Sequence, residues 1–173
     1  MFLCKKMNIE DKEYILKDED GNIFLSFQMT DEISLTSDPL LTHCLAVVKV
    51  GNAYLLGWNK WRSRYEIFGG CIENGETARE CILRECAEEL GLISPDIVYL
   101  GAMKFLMMPD YFSAKQRIEL GGLYGIKLPE QDIGTLYKSA ADKDEITKLA
   151  LYNDIKGKDA IAEIDEKLLE YFK

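Results

Sequence analysis

Within the segment GGCIENGETARECILRECAEELGL, Gly69 to Leu92, carboxylates stand at Glu85, Glu88 and Glu89. At about 100° per residue they fall within an arc of roughly 100° on one helix, beside the apolar face and not opposite it. Like charges three and four residues apart weaken a helix, so the cluster calls for a compensating cation. Hard carboxylate oxygens suit a divalent ion, and Mg2+ in particular leaves part of its shell to waters and substrate phosphates. A solvated acidic face is the plain alternative. Against it stand a glycine-rich loop entering the helix, Glu76 at the helix start and Arg84 just before the first clustered acid.

The helix that must carry these groups is well marked. Thr77 is placed as an N-cap with Glu80 three residues on, and Gly91 follows Leu90 as a stop. Ala78, Ile82, Cys86 and Leu90 recur at four-residue steps, which predicts one inward face. Before it, Tyr14 to Lys17 and Ile23 to Phe27 flank a Gly21-Asn22 turn and predict a hairpin. The stretch MTDEISLTSDPLL reads as a connection with a short helical turn. Cys44 to Val50 and Ala53 to Trp58, around Gly51-Asn52, predict a buried antiparallel pair, and a short strand is expected to end at Ile67-Phe68, stopped by the glycines. Two long strands follow in DIVYLGAMKFLMM and RIELGGLYGIKL, then a strand in DEITKLALYND and a closing amphipathic helix from Asp159 to Phe172. The expected fold is α+β: a mixed sheet sandwiched between helices (α/β/α) with an N-terminal β-hairpin. Residues 1–36 form the hairpin extension and connection, and residues 37–173 a single domain.

The chain has 173 residues, enough for one core, and its 47% hydrophobic and 29% charged content is that of a folded, soluble protein. Thirty acids against 21 Lys and Arg, a net charge of −9, argue against general binding to nucleic acid or anionic membrane. A small anionic ligand bridged by cations stays compatible with that charge. Five cysteines without a C-x-x-C pair, and a single histidine, His43, favour buried or partly buried free thiols over zinc. With no signal-like or membrane-spanning stretch, a cytoplasmic location is expected.

The segment resembles the Nudix signature G-x5-E-x7-R-E-U-x-E-E-x-G-U, where U is a bulky apolar residue. Gly70, Glu76, Arg84-Glu85, Glu88-Glu89 and Gly91-Leu92 occupy its fixed positions, with Cys86 at the first apolar one. Many relatives carry proline before the glycine pair where this chain has Phe68. The resemblance implies hydrolysis of a nucleoside diphosphate linked to another moiety, with Mg2+ or Mn2+. It implies metal ligation by Glu88, Glu89, Glu85 and the Gly70 carbonyl, with Glu85 alternatively the base. Arg84 would orient the acids, pairing with Glu76 or Glu85. Glu145 is a further candidate base or ligand. The segments around Trp61, Arg64 and Phe68 and around Phe112 are expected to form the rim that holds a small nucleotide. Relatives are often dimers, so a homodimer through the hairpin edge is expected by analogy. A nucleotide-binding or regulatory module without hydrolysis is the alternative from another class.

Overall fold

The computed structural model describes residues 13–141 and 143–173, so Cys4 lies outside the described residues. The hydrophobic runs pair into a mixed sheet with strands β1 (Leu16–Lys17), β2 (Ile23–Gln28), β3 (Leu41–Val50), β4 (Ala53–Asn59), β5 (Arg64–Glu66), β6 (Phe68–Cys71), β7 (Ile97–Met107), β8 (Arg117–Leu128) and β9 (Ile146–Leu151). The main path runs β1-β2-β7-β8-β3-β4-β5, with β6 paired to β3 and β9 to β4. The β3–β8 pairing is parallel, while β3 meets β4 and β6 antiparallel.

Alternation along β3 sets the layers, because successive side chains face opposite sides of a strand. Cys44, Ala46 and Val48 pack with Ala78, Ile82, Cys86 and Leu90 of helix α2 (Ala78–Leu90). Val47, on the opposite face, joins Ile67, Leu123, Leu168 and Leu169 beneath the C-terminal segment. The sheet therefore lies between α2 on one side and helix α5 (Glu163–Leu168) on the other. Short helices α1 (Glu32–Thr36), α3 (Ile133–Lys138) and α4 (Tyr152–Ile155) complete the described elements. No helix among the described residues is long and apolar enough to cross a membrane.

The end signals of α2 are realised in full. Thr77 Oγ1 accepts from the Glu80 N–H, the Glu80 carboxylate accepts from the Thr77 N–H at 2.8 Å, and Gly91 adopts φ 67° to close the last turn.

Three local expectations are corrected. The glycine pair does not stop a strand; it lies inside β6, where Gly69 and Gly70 face Leu45 and Cys44 of β3. Gly69 has φ 134°, and an added Cβ would strike the Cys44 carbonyl, so only glycine lets the two backbones meet there. Gly69→Ala should accordingly cost about 1–3 kcal/mol or more of stability, read as a lowered urea midpoint. Second, the helix expected from Asp159 to Phe172 is shorter. Residues 160–162 instead bond to Tyr65, whose N–H donates to the Ala160 carbonyl at 2.8 Å and whose carbonyl accepts from Ala162 at 2.9 Å. Tertiary pairing overrides the helical period there, leaving α5 and a 3-10 turn at Leu169–Tyr171. Third, Cys71 is exposed, whereas Cys44, Cys81 and Cys86 are buried free thiols.

Candidate active site

Arg84 resolves the charge problem posed by the helix. Its Nε and Nη2 donate to the two Glu76 oxygens at 2.9 and 3.1 Å, and its Nη1 donates to Glu85 at 2.7 Å and Glu88 at 3.3 Å. Nη2 also reaches the Cys71 carbonyl at 3.0 Å, tying the entry loop to the helix. These charge-assisted bonds hold Glu76 below the usual carboxylate range.

Glu89 has a different environment. It is 8% exposed, and the Gly69 N–H donates to its Oε2 at 2.9 Å. Burial pushes its carboxyl well up, and the charges of Glu85, Glu145 and Glu66 add to the effect. Burial also raises Glu85, against the pull of Arg84. Gly70 approaches this carboxylate so closely that an added Cβ would strike Glu85 Oε1. Glu88 remains half exposed.

Glu89, Gly69 and Gly70 face a cavity of about 780 Å³ that also takes in Glu145, Arg62, Arg64 and Glu66. The same cavity is lined by His43, Phe105, Tyr111, Phe112, Arg117 and Glu119. Burial pushes His43 below its ordinary value although Glu119 lies 3.8 Å away, so a neutral imidazole lines this wall. Asp110 accepts both arms of the Arg117 fork, at 3.0 and 2.8 Å, which anchors the loop carrying Tyr111 and Phe112. Phe112 is 75% exposed at the mouth.

The structure thus brings Gly70, Glu76, Arg84, Glu85 and Glu88 into one bonded cluster or contact, and Glu89, Glu145, Arg64 and Phe112 to the adjoining cavity. Two rim expectations are corrected. Phe68 is fully buried in the core against α2, so its ring is unavailable for stacking. Trp61 stands 64% exposed outside the cavity lining, with the Lys60 ammonium over its ring.

Sequence reasoning missed Glu66 and Asp165. Glu66 collects Arg62, Arg64 and Asn59, and its signal was only the R-S-R-Y-E spacing. Asp165 accepts the Ile67 N–H at 2.9 Å at the cavity wall. Burial, with the Glu66 charge adding to it, pushes Asp165 up to about 7. The folded protein then keeps a proton between roughly pH 4 and 7 that the unfolded chain has lost, so this group lowers stability as pH rises through that window. Asp165→Asn keeps an oxygen for Ile67. It should raise the unfolding temperature relative to wild type above pH 7, and the gain should vanish near pH 4; a pH-independent difference would contradict this.

The donor set fits a divalent cation. It consists of carboxylate and carbonyl oxygens, and the buried Glu89 has acids as its charged neighbours. Among the described residues no three acidic, Cys or His side chains already converge on one point, and Arg84 bonds to both Glu85 and Glu88.

A family model described as NUDIX domain matches residues 43–163. A Bacillus subtilis (strain 168) protein named as a candidate 8-oxo-dGTP diphosphatase, YtkD, is 28% identical over 145 residues, covering 82% of this chain and 77% of that protein. The crystal structure of the Bacillus subtilis pyrophosphohydrolase BsRppH superposes with a TM-score of 0.65 at 20% identity, covering 92% of this chain and 95% of the other. The E. coli dihydroneopterin triphosphate pyrophosphohydrolase gives 0.60 at 14% identity, covering 75% and 92%. With the family match spanning most of the chain and the acidic helix in place, this protein belongs to the NUDIX domain family, the Nudix hydrolases, which cleave phosphoanhydride bonds.

Proposed function

We propose that the chain is a Mg2+- or Mn2+-dependent pyrophosphohydrolase that cleaves a nucleoside diphosphate linked to another moiety, with a nucleoside triphosphate as its substrate. The observation that carries this reading is the buried Glu89 carboxylate, facing a large cavity among further acids. Glu85, Glu88 and Glu89 with the Gly70 carbonyl would hold the cation. When bound, the ion neutralises phosphate charge and acidifies the attacking water.

The chain's own residues then have separable tasks. Arg84 holds Glu76, Glu85 and Glu88 in register. Arg62 and Arg64, which line the cavity, would meet phosphate oxygens in this reading, while Phe105, Tyr111 and Phe112, which line it too, would offer faces to a base. A carboxylate, Glu85 or Glu145, accepts the proton of the attacking water as oxygen bonds to phosphorus. The bridging P–O bond breaks, and pyrophosphate leaves from a nucleoside triphosphate. Residues 37–173 are the working unit in this reading, with the β1–β2 hairpin as its extension.

The relative named for 8-oxo-dGTP selects the first substrate to try. Purified protein given 8-oxo-dGTP, dGTP and ADP-ribose with Mg2+ should release nucleoside monophosphate from at least one triphosphate, seen by chromatography. Tight nucleotide binding with no product from any of them would contradict hydrolysis and favour a regulatory module.

A further inference from the structure

Behind the cavity wall, at the end of β4, lies Asn59, a polar side chain with no exposure to solvent. Burying an amide is unfavourable unless its donors and acceptor are matched, and here the matching is complete. Its Oδ1 accepts from the N–H groups of Trp61 and Arg62 at 3.0 and 3.1 Å. Its Nδ2 donates to Glu66 at 3.0 Å and to Glu145 at 2.8 Å. One side chain thus fixes the turn that carries Arg62 and, from the same amide, two carboxylates of the cavity wall.

The arrangement is reinforced from two directions. The Lys60 N–H donates to the Glu145 backbone carbonyl at 3.1 Å, and Asn59 lies opposite Ile146 in the β4–β9 register. Arg62 then bridges the same two acids, donating through Nε to Glu66 at 2.8 Å and through Nη2 to Glu145 at 3.0 Å. Ser63 completes the turn with φ 54°, a left-handed conformation that the Asn59 cap helps to hold. Glu145 is partly exposed and would otherwise sample several rotamers. The amide donor selects one, directed at the cavity that also contains Glu89.

We propose that Asn59 is a positioning residue for hydrolysis: its amide holds Glu145 and the Arg62 turn in the geometry the reaction uses, without touching substrate. The inference rests on the hydrolase reading above, with Glu145 as a working carboxylate. The site-facing role separates it from a purely structural hub, because Glu145 sits at the mouth of β9 and contributes nothing to the apolar core clusters.

The test is a double-mutant cycle on 8-oxo-dGTP hydrolysis with saturating Mg2+. Asn59→Ala should lower kcat about 10- to 100-fold, as expected for a group that orients a working side chain, with KM changed less than about threefold. In the Glu145→Gln background the same change should lower kcat less than about threefold further, since the group it positions is already disabled. Thermal unfolding of each variant establishes that it is folded. Should Asn59→Ala not fold, Asn59→Asp keeps an oxygen for the Trp61 and Arg62 N–H groups while losing both amide donors, and the same cycle is expected from it. Equal fold-losses in the two backgrounds, or full kcat in a folded Asn59 variant, would overturn the proposal. Full kcat in Glu145→Gln would overturn it while leaving the hydrolase reading intact, whereas no hydrolysis of 8-oxo-dGTP, dGTP or ADP-ribose by wild type would overturn both.

Discussion

Glu89→Gln should lower kcat for nucleotide hydrolysis about 10²- to 10³-fold, the scale of losing one preorganised electrostatic partner, while the unfolding temperature holds or rises. The two halves of this expectation have the same cause. Glu89 is buried beside the Gly69 N–H, and its charged neighbours are the acids Glu85, Glu145 and Glu66. In the absence of a cation the charge is a burden to the fold, since desolvation opposes ionisation. Glutamine has the same shape and retains an oxygen for Gly69, so the fold loses little. It carries no charge, however, and binds a divalent ion poorly. Activity and stability measured on the same preparation check the prediction. A parallel loss of both would mean that Glu89 serves the fold alone.

Arg84→Lys should also be severe, lowering kcat about 10- to 100-fold as typical for groups that orient metal-binding side chains. The guanidinium makes bonds in three directions at once, to both oxygens of Glu76, to Glu85 and Glu88, and to the Cys71 carbonyl. A lysine ammonium has three donors on a flexible stem and lacks the planar fork that reaches both Glu76 oxygens. Glu76 would lose its bidentate partner, and the loop from Gly70 to Glu76 would lose its tie to α2. Mg2+ titration of the rate should therefore show a higher concentration for half-maximal activity in Arg84→Lys; an unchanged titration curve would assign Arg84 to surface pairing.

The clearest part of the site in the sequence was the part built by local chemistry. Thr77, Glu80 and Gly91 announce the ends of α2 because capping depends on residues a few positions apart. The one-sided clustering of Glu85, Glu88 and Glu89 follows from helical spacing for the same reason, whereas the pairing of Arg84 with Glu76 and Glu85 is implied by the resemblance to the Nudix signature. The cavity was much less legible, because its walls come from strands distant in sequence. Asn59 meets Glu145 through the β4–β9 pairing, and Asp165 meets Ile67 from the far end of the chain. Nothing local in the sequence marks those partners.

The misread aromatics make the same point in reverse. Phe68 and Trp61 have rings suited to stacking, but residue type cannot say which side of a strand or turn a ring will occupy. Register places Phe68 opposite Ala46, over α2, while the turn after Asn59 sends Trp61 to solvent. Phe112 reaches the cavity because Asp110 and Arg117 brace its loop, a pairing that joins a loop to β8. The β6 glycines carry a similar lesson. A glycine pair reads as a strand stop, yet close approach to the Cys44 carbonyl makes glycine the residue that allows this strand to continue.

The central claim is that the acids around α2 exist to bring a divalent cation to a phosphoanhydride. Its most direct test is hydrolysis of 8-oxo-dGTP by chelator-stripped protein, followed by return of Mg2+ or Mn2+ with monophosphate and pyrophosphate both quantified. The account predicts no turnover in the stripped protein and restoration of equal amounts of the two products when the ion returns. Undiminished hydrolysis after stripping would contradict it.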